Sequence, residues 1–173
     1  MDFLIKNAME GLKNSNFDNV EVGKANIKVI GAGGAGNNMV SWLYKKGIQG
    51  AEVVATNTDK QHLDISEADQ KFLIGTNLTK GLGCGGFPNK GSEAARESLQ
   101  MIRDHLKGSD MIFICAGMGG GTGTGAAPVI ASVAKEMGAI VIGTVTMPLN
   151  IEKARVEKAE FGLQQLRDKC DTV

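Results

Sequence analysis

From residue 26 onward, two apolar patterns alternate along the chain. Short, nearly continuous apolar runs occur at NIKVIG (26–31), AEVVAT (51–56), KFLIG (71–75), DMIFICAG (110–117) and AIVIGTVTM (139–147). Runs of this length, rich in β-branched residues and bounded by Gly or Asn, predict strands buried on both faces. Between them lie segments with helical periodicity. Residues 34–46 carry Met39, Val40, Trp42 and Leu43, and residues 92–107 place Ala95, Leu99, Ile102 and Leu106 on one face. Ser92 can cap the second of these helices, and Gly108 ends it. Residues 125–137 and the longer 150–170 complete the helical set, and Asp171–Val173 reads as the start of a sixth strand. Strand and helix in alternation predict an α/β fold, a doubly wound, mostly parallel sheet flanked by helices. Before this region, residues 1–13 show a weaker stripe of Ile5, Ala8, Met9 and Leu12, followed by a polar linker. The expected organisation is a helical extension with its linker over 1–24 and a single α/β domain over 25–173.

Composition narrows the function. With 19 basic and 19 acidic residues the formal net charge is zero, which argues against a nucleic-acid partner or a polybasic membrane surface. No apolar run approaches the length of a membrane span, so direct membrane insertion is not expected. The three cysteines, Cys84, Cys115 and Cys170, are widely spaced and form no CxxC pair, as expected of a reduced, cytoplasmic protein without a disulfide framework or a metal centre. Glycine is the outlier at 24 residues, and it clusters.

Two of those clusters join a strand to a helix. GAGGAGNN (Gly31–Asn38) follows the first strand, and GMGGGTGTG (Gly117–Gly125) follows the fourth, with six glycines in nine residues. This is the setting in which backbone N–H groups and a helix N-terminus hold phosphate. In the strand order 3-2-1-4-5-6 the first and fourth strands are neighbours at the point where the winding reverses, so the two loops form halves of one anion cradle. Neither loop contains the GK[ST] of a Walker loop; backbone amides, helix dipoles, the Thr122 and Thr124 hydroxyls and Mg²⁺ are expected to offset phosphate charge. A third stretch, GLGCGGFPNKG (Gly81–Gly91), reads equally as a flap over a terminal phosphate or as a mobile surface loop. Asp59, in the Asn57–Asp59 triplet, can hold a Mg²⁺-bound water or cap a helix. The two histidines, His62 and His105, are expected on the surface.

In their order and spacing, GAGGAGNN, NTD, GLGCGGFPNKG, AGMGGGTGTGAAP and VTMPLNIEKAR resemble FtsZ, the prokaryotic tubulin homologue, and the stretch after residue 146 is closer to archaeal members. The resemblance covers about residues 25–173. It implies GTP or GDP as ligand with Mg²⁺ on the phosphates, GTP hydrolysis coupled to head-to-tail self-assembly, other division proteins as partners, and a place in the division ring at midcell. Carried over by position, Gly33, Gly34, Ala35, Gly36, Asn37 and Asn38 lie against the nucleotide, with Asn38 near the guanine or ribose. Gly117, Gly119, Gly120, Gly121, Thr122, Gly123 and Thr124 surround the phosphates, with Gly121–Gly123 on the α- and β-groups. Gly83, Cys84, Gly85 and Gly86 fall near the γ-phosphate and Asp59 near the metal, while Pro148, Glu152 and Arg155 lie on the ribose side. The stretch between Glu152 and Arg155 is one residue shorter than in common bacterial forms.

The resemblance also implies parts beyond residue 173: a central helix that touches the base and covers one sheet face, an acidic loop that acts on the neighbouring subunit's GTP, and a second domain. No catalytic residue is therefore assigned within the chain, which is expected to bind nucleotide with little turnover and to expose apolar surface. Two other readings remain: an NAD(P)-binding oxidoreductase domain, for which Glu52 lies near the distance of a ribose-binding acid, and a non-catalytic assembly module that keeps nucleotide as a structural ligand.

Overall fold

The computed structural model describes Gly23 and residues 25–173; the helical extension and linker expected over 1–24 lie, Gly23 apart, outside the described residues. Five strands form one parallel sheet: β1 (Ile27–Ala32), β2 (Ala51–Asn57), β3 (Gln70–Leu73), β4 (Met111–Gly117) and β5 (Ile140–Thr146). Their order is β3-β2-β1-β4-β5. Thr172 bridges in parallel to Ile142 of β5, and Gly143 N–H donates to Thr172 O at 2.8 Å, so the expected sixth strand begins in the expected place.

The strands read as unbroken apolar runs because each alternate residue meets a different core. Ile30, Val54, Ile112, Ile114 and Val141 point to one face. There they pack against Ile102 and Leu106 of α5 (Leu99–Leu106), Ile130 of α6 (Thr122–Glu136) and Leu166 of α7 (Ala154–Arg167). Val29, Val53, Ala55 and Cys115 point to the other, under Val40 of α1 (Gly33–Lys45) and Leu63 of α2 (Lys60–Ile65). Fully burying each large aliphatic side chain contributes about 1.5–3 kcal/mol, so the two cores hold the strand ends in fixed register. The second face is thinly covered beyond β1. Ile140 is half exposed, Trp42 is 60% exposed, and an apolar hollow lies among Met39, Trp42, Leu43, Cys115 and Thr144.

Helix boundaries depart from expectation where the local backbone decides. The helix expected at 92–107 is two: α4 (Pro88–Glu97), with Pro88 at its first position, and α5, parted at Ser98 (φ −104°, ψ 22°). Ser98 Oγ accepts a hydrogen bond from Gly75 N at 2.9 Å, which ties this break to the chain after β3. The helix expected at 125–137 begins three residues early, at Thr122, so part of the glycine run is helical. The 150–170 helix breaks at Lys153 (φ 31°) into a 3-10 turn, Asn150–Glu152, and α7. The short α3 (Thr76–Thr79) was not anticipated, and α2 only as the helix that Asp59 could cap.

Candidate functional site

β1 and β4 are neighbours in register, Ala32 opposite Ala116, and their carboxyl ends release the first two glycine loops side by side. The loops interlock. Gly33 turns the chain out of β1 with φ +73°, and a methyl group there would lie 2.8 Å from Gly123 N. A methyl group on Gly123 would lie 2.8 Å from Gly117 O and 3.1 Å from Ala32 O, so the first turn of α6 rests on the ends of both strands. Gly119 (φ +92°) passes equally close to the Arg155 backbone. The third loop joins them: a methyl group on Gly121 would meet Cys84 Cβ at 2.7 Å and the amides of Gly86 and Phe87 at 3.2 and 3.1 Å. It is not a detached flap; Gly83 N–H donates to Thr58 O at 3.1 Å and Phe87 N–H to Cys84 O at 3.1 Å.

Above the strand ends lies a cavity of about 340 Å³, lined by Ala32, Gly34, Ala35, Gly117, Met118, Gly120–Gly123, Thr146–Pro148, Glu152 and Arg155. Both α1 and α6 start beside it. Neither has a side-chain cap or an acidic residue in its first turn, so their leading N–H groups and the positive ends of their dipoles are free for an anion. The contrast is α2, whose N-terminus is closed by Asp59 Oδ1 accepting from His62 N at 3.1 Å. A larger hollow of about 560 Å³ lies between α4, α5, α6 and α7. The start of α5, at Leu99, borders it, and its Arg103 is paired with Glu136 at 2.8 Å.

The structure divides the candidate residues. Gly34, Ala35, Gly117, Gly120, Gly121, Thr122, Gly123, Pro148, Glu152 and Arg155 line the cavity together. Gly33 and Gly119 shape the turns that feed it. Gly83, Cys84, Gly85 and Gly86 are not in the lining: Cys84 and Gly86 stand behind Gly121, Gly83 lies beside Asp59 and Gly85 beside Phe87. Gly36 lies beneath the loop, where any side chain would collide with Cys115 O of β4. Asn37 is fully buried; its amide nitrogen donates to Gly31 O at 2.9 Å and Thr56 O at 3.1 Å, bracing β1 against β2. Asn38 faces the apolar hollow with Trp42. Thr124 is also buried, and its hydroxyl accepts from Gly119 N at 2.9 Å, pinning the second loop from below. Asp59 acts as the helix cap that was one of its two readings. Glu152 accepts from Leu149 N at 3.1 Å and from Arg155 Nη1 at 3.0 Å, so the two side chains are paired at the cavity despite the shorter spacing.

Two residues near the site escaped the sequence reading. His62 is partly buried against the first loop, its Nε2 3.6 Å from where a Gly34 methyl would sit. Thr58, buried, bonds Thr122 Oγ1 at 2.8 Å. The position of His62 one turn past Asp59 gave no hint of this, because only the fold sets α2 against the first loop. His105 lies at the far end of the sheet, stacked on Phe72 with ring centroids 4.3 Å apart. Burial, and next the Lys28 charge, lower its pKa from the ordinary value.

Residues 26–173 match the family described as Tubulin/FtsZ family, GTPase domain. The chain belongs to the tubulin/FtsZ family. Among curated relatives, cell division protein FtsZ 2 of Methanocaldococcus jannaschii is 52% identical over 170 residues, covering 98% of this chain and 45% of the relative. FtsZ 2 of Haloferax volcanii is 54% identical over 153 residues, covering 88% and 38%. Among solved structures, an empty FtsZ dimer from M. jannaschii superposes with a TM-score of 0.85 at 47% identity, over 96% of this chain and 46% of that one. A CetZ2 protofilament from H. volcanii with GTPγS bound superposes with a TM-score of 0.77 at 27% identity, over 86% and 48%. The chain thus spans about half the length of the FtsZ and CetZ proteins it matches. The fold expected from the strand–helix alternation is the fold of this family, and the oxidoreductase alternative finds no support among these relatives.

Proposed function

We propose that this chain is the guanine-nucleotide-binding half of an FtsZ-type GTPase, which assembles head to tail with copies of itself in the division ring. The observation that carries the reading is the convergence of two glycine loops and two uncapped helix N-termini on one cavity, with the third glycine loop packed behind Gly121. Polyphosphate fits the bare-backbone side, over Gly120–Gly123, where amides can approach oxygen without side chains intervening. The sugar fits the opposite side, where Glu152 can accept from a hydroxyl while Arg155 holds it in place. Running from Glu152 toward Gly121, the terminal phosphate points at the third loop.

Chemically, the site positions and neutralises phosphate, which is most of what phosphoryl transfer asks of a protein. Mg²⁺ supplies charge neutralisation on the phosphates. Among the described residues no cluster of three His, Cys, Asp or Glu side chains could hold a metal ion; Asp59, beside Gly83, is the carboxylate that would hold a Mg²⁺-bound water. Among the described residues only one carboxylate, Glu152, lines the cavity, and it is engaged by Leu149 and Arg155. The chain by itself therefore binds GTP and turns it over slowly; a water-activating acid comes from a neighbouring subunit. The bound protofilament of the CetZ2 relative supports assembly as the context. Among the described residues no helix is long and apolar enough to cross a membrane.

The test is competition against a fluorescent GDP analogue. Unlabelled GDP and GTP displace it and NADH does not; displacement by NADH at similar concentration, or no binding of the analogue, overturns the proposal.

A further inference from the structure

We infer that Thr58 is a positioning residue that couples the third glycine loop to the phosphate-binding helix start, so that the terminal phosphate is sensed through a buried hydroxyl relay. The inference rests on the nucleotide reading above and names a residue which that reading does not use.

Thr58 is fully buried at the end of β2. Its hydroxyl stands 2.8 Å from Thr122 Oγ1 and 3.3 Å from Cys84 Sγ. Its carbonyl accepts from Gly83 N at 3.1 Å and from Thr79 Oγ1 at 3.2 Å. Its own amide is held by Asn57 Oδ1 at 2.9 Å. One residue thus touches the third loop twice, through Gly83 and Cys84, and the first turn of α6 once, through Thr122. Thr122 lines the cavity, whereas Thr58 and Cys84 do not.

A hydroxyl has one proton and can accept as well as donate, so Thr58 links a donor on one side to an acceptor on the other. With Thr58 in place, the Thr122 hydroxyl and the Cys84 loop have a fixed separation. A phosphate that reaches Gly121 meets that loop directly behind it, since Cys84 Cβ, Gly86 N and Phe87 N crowd the same glycine. A diphosphate stops over Gly120–Gly123; a triphosphate needs the loop as well. The relay is therefore expected to favour the longer polyphosphate.

Thr58→Val keeps the shape and removes the hydroxyl; Thr58→Ser keeps the hydroxyl and removes the methyl. Affinities for GDP and for a non-hydrolysable GTP analogue are measured by calorimetry on the wild-type chain and both variants, with hydrogen exchange of each ligand-free protein. Losing one neutral hydrogen bond weakens binding about fivefold. We expect Thr58→Val to weaken the GTP analogue about fivefold, leave GDP within about twofold, and speed exchange at Gly83–Phe87 without affecting β1. Thr58→Ser restores the wild-type ratio. An unchanged GTP-to-GDP ratio in Thr58→Val, equal losses for both nucleotides, or no rescue by serine overturns the inference while leaving the proposed function standing. If Thr58→Val does not fold, Cys84→Ala decides: a reduced GTP-to-GDP ratio supports the relay, and an unchanged one refutes it. Failure of the wild-type chain to bind either nucleotide overturns the proposed function itself.

Discussion

Gly123→Ala sets two physical effects against each other. Gly123 is the second residue of α6, and exchanging an exposed helical glycine for alanine ordinarily stabilises by up to about 1 kcal/mol. Here the added methyl would stand 2.8 Å from Gly117 O and 3.1 Å from Ala32 O, both main-chain atoms at the ends of packed strands. Comfortable carbon–oxygen contact needs about 3.3 Å, so the helix start must lift by roughly 0.5 Å; overpacking of this kind costs about 1–3 kcal/mol. After the propensity gain, a net loss of about 1 kcal/mol remains, a fall of roughly 2–4 °C in Tm for a chain of this size. Binding suffers more. Amides drawn back by roughly 0.5 Å leave good hydrogen-bond range, and one bond to a charged oxygen is worth about 1.5–3 kcal/mol, so GDP affinity falls at least tenfold. Gly120→Ala is the control for the melts alone, because nothing in the protein lies within 4 Å of its added methyl although the residue lines the same cavity. Thermal melts and calorimetric GDP titration of both variants provide the readout. A Gly123→Ala protein more stable than wild type that binds GDP as well would refute the claim that α6 rests on the strand ends.

Three further outcomes are expected. Thr124→Val leaves the Gly119 amide without its buried acceptor and lowers stability by about 1–3 kcal/mol, read as a shift in urea midpoint, with weaker GDP binding as the second loop loosens. For His105, unfolding restores the ordinary pKa of 6.5, so the unfolded chain takes up the proton first as pH falls. Stability therefore drops as pH goes from about 7 toward 5, and His105→Gln flattens that part of a urea-midpoint profile; an unchanged slope contradicts the assignment. Cys115 lies under α1, and burial pushes its thiol up to about 11, so iodoacetamide at pH 8 labels it only after unfolding, as peptide mass mapping would show.

The strands and the pairing of the glycine loops were legible because both depend on local signals. Apolar runs such as Val29–Ile30 and Ile112–Ile114 announce strands buried on both faces, and a glycine cluster directly after such a run announces a strand-to-helix turn. Neighbouring β1 and β4 followed from a common winding order, and the parallel register Ala32–Ala116 agrees with it. What stayed hidden depends on tertiary contact. Nothing local marks Ser98 as a helix break; the break is fixed by Gly75, 23 residues away, bonding its hydroxyl. Asn37 carries the chemistry of a ligand contact in sequence, but burial turns its amide onto the carbonyls of Gly31 and Thr56. Thr58 stood between two residues that attracted notice, and only the fold brings Thr122 and Cys84 to its hydroxyl.

The claim at the centre is that one polyphosphate is held by the first two glycine loops together, with the third joining them for the triphosphate. Hydrogen–deuterium exchange during a GDP and then a GTP-analogue titration tests it most directly. The account predicts that amides at Gly33–Ala35 and Gly119–Gly123 gain protection together with one shared midpoint, and that Gly83–Phe87 joins them with the triphosphate. Protection confined to a single loop, or separate midpoints for the first and second loops, would contradict it.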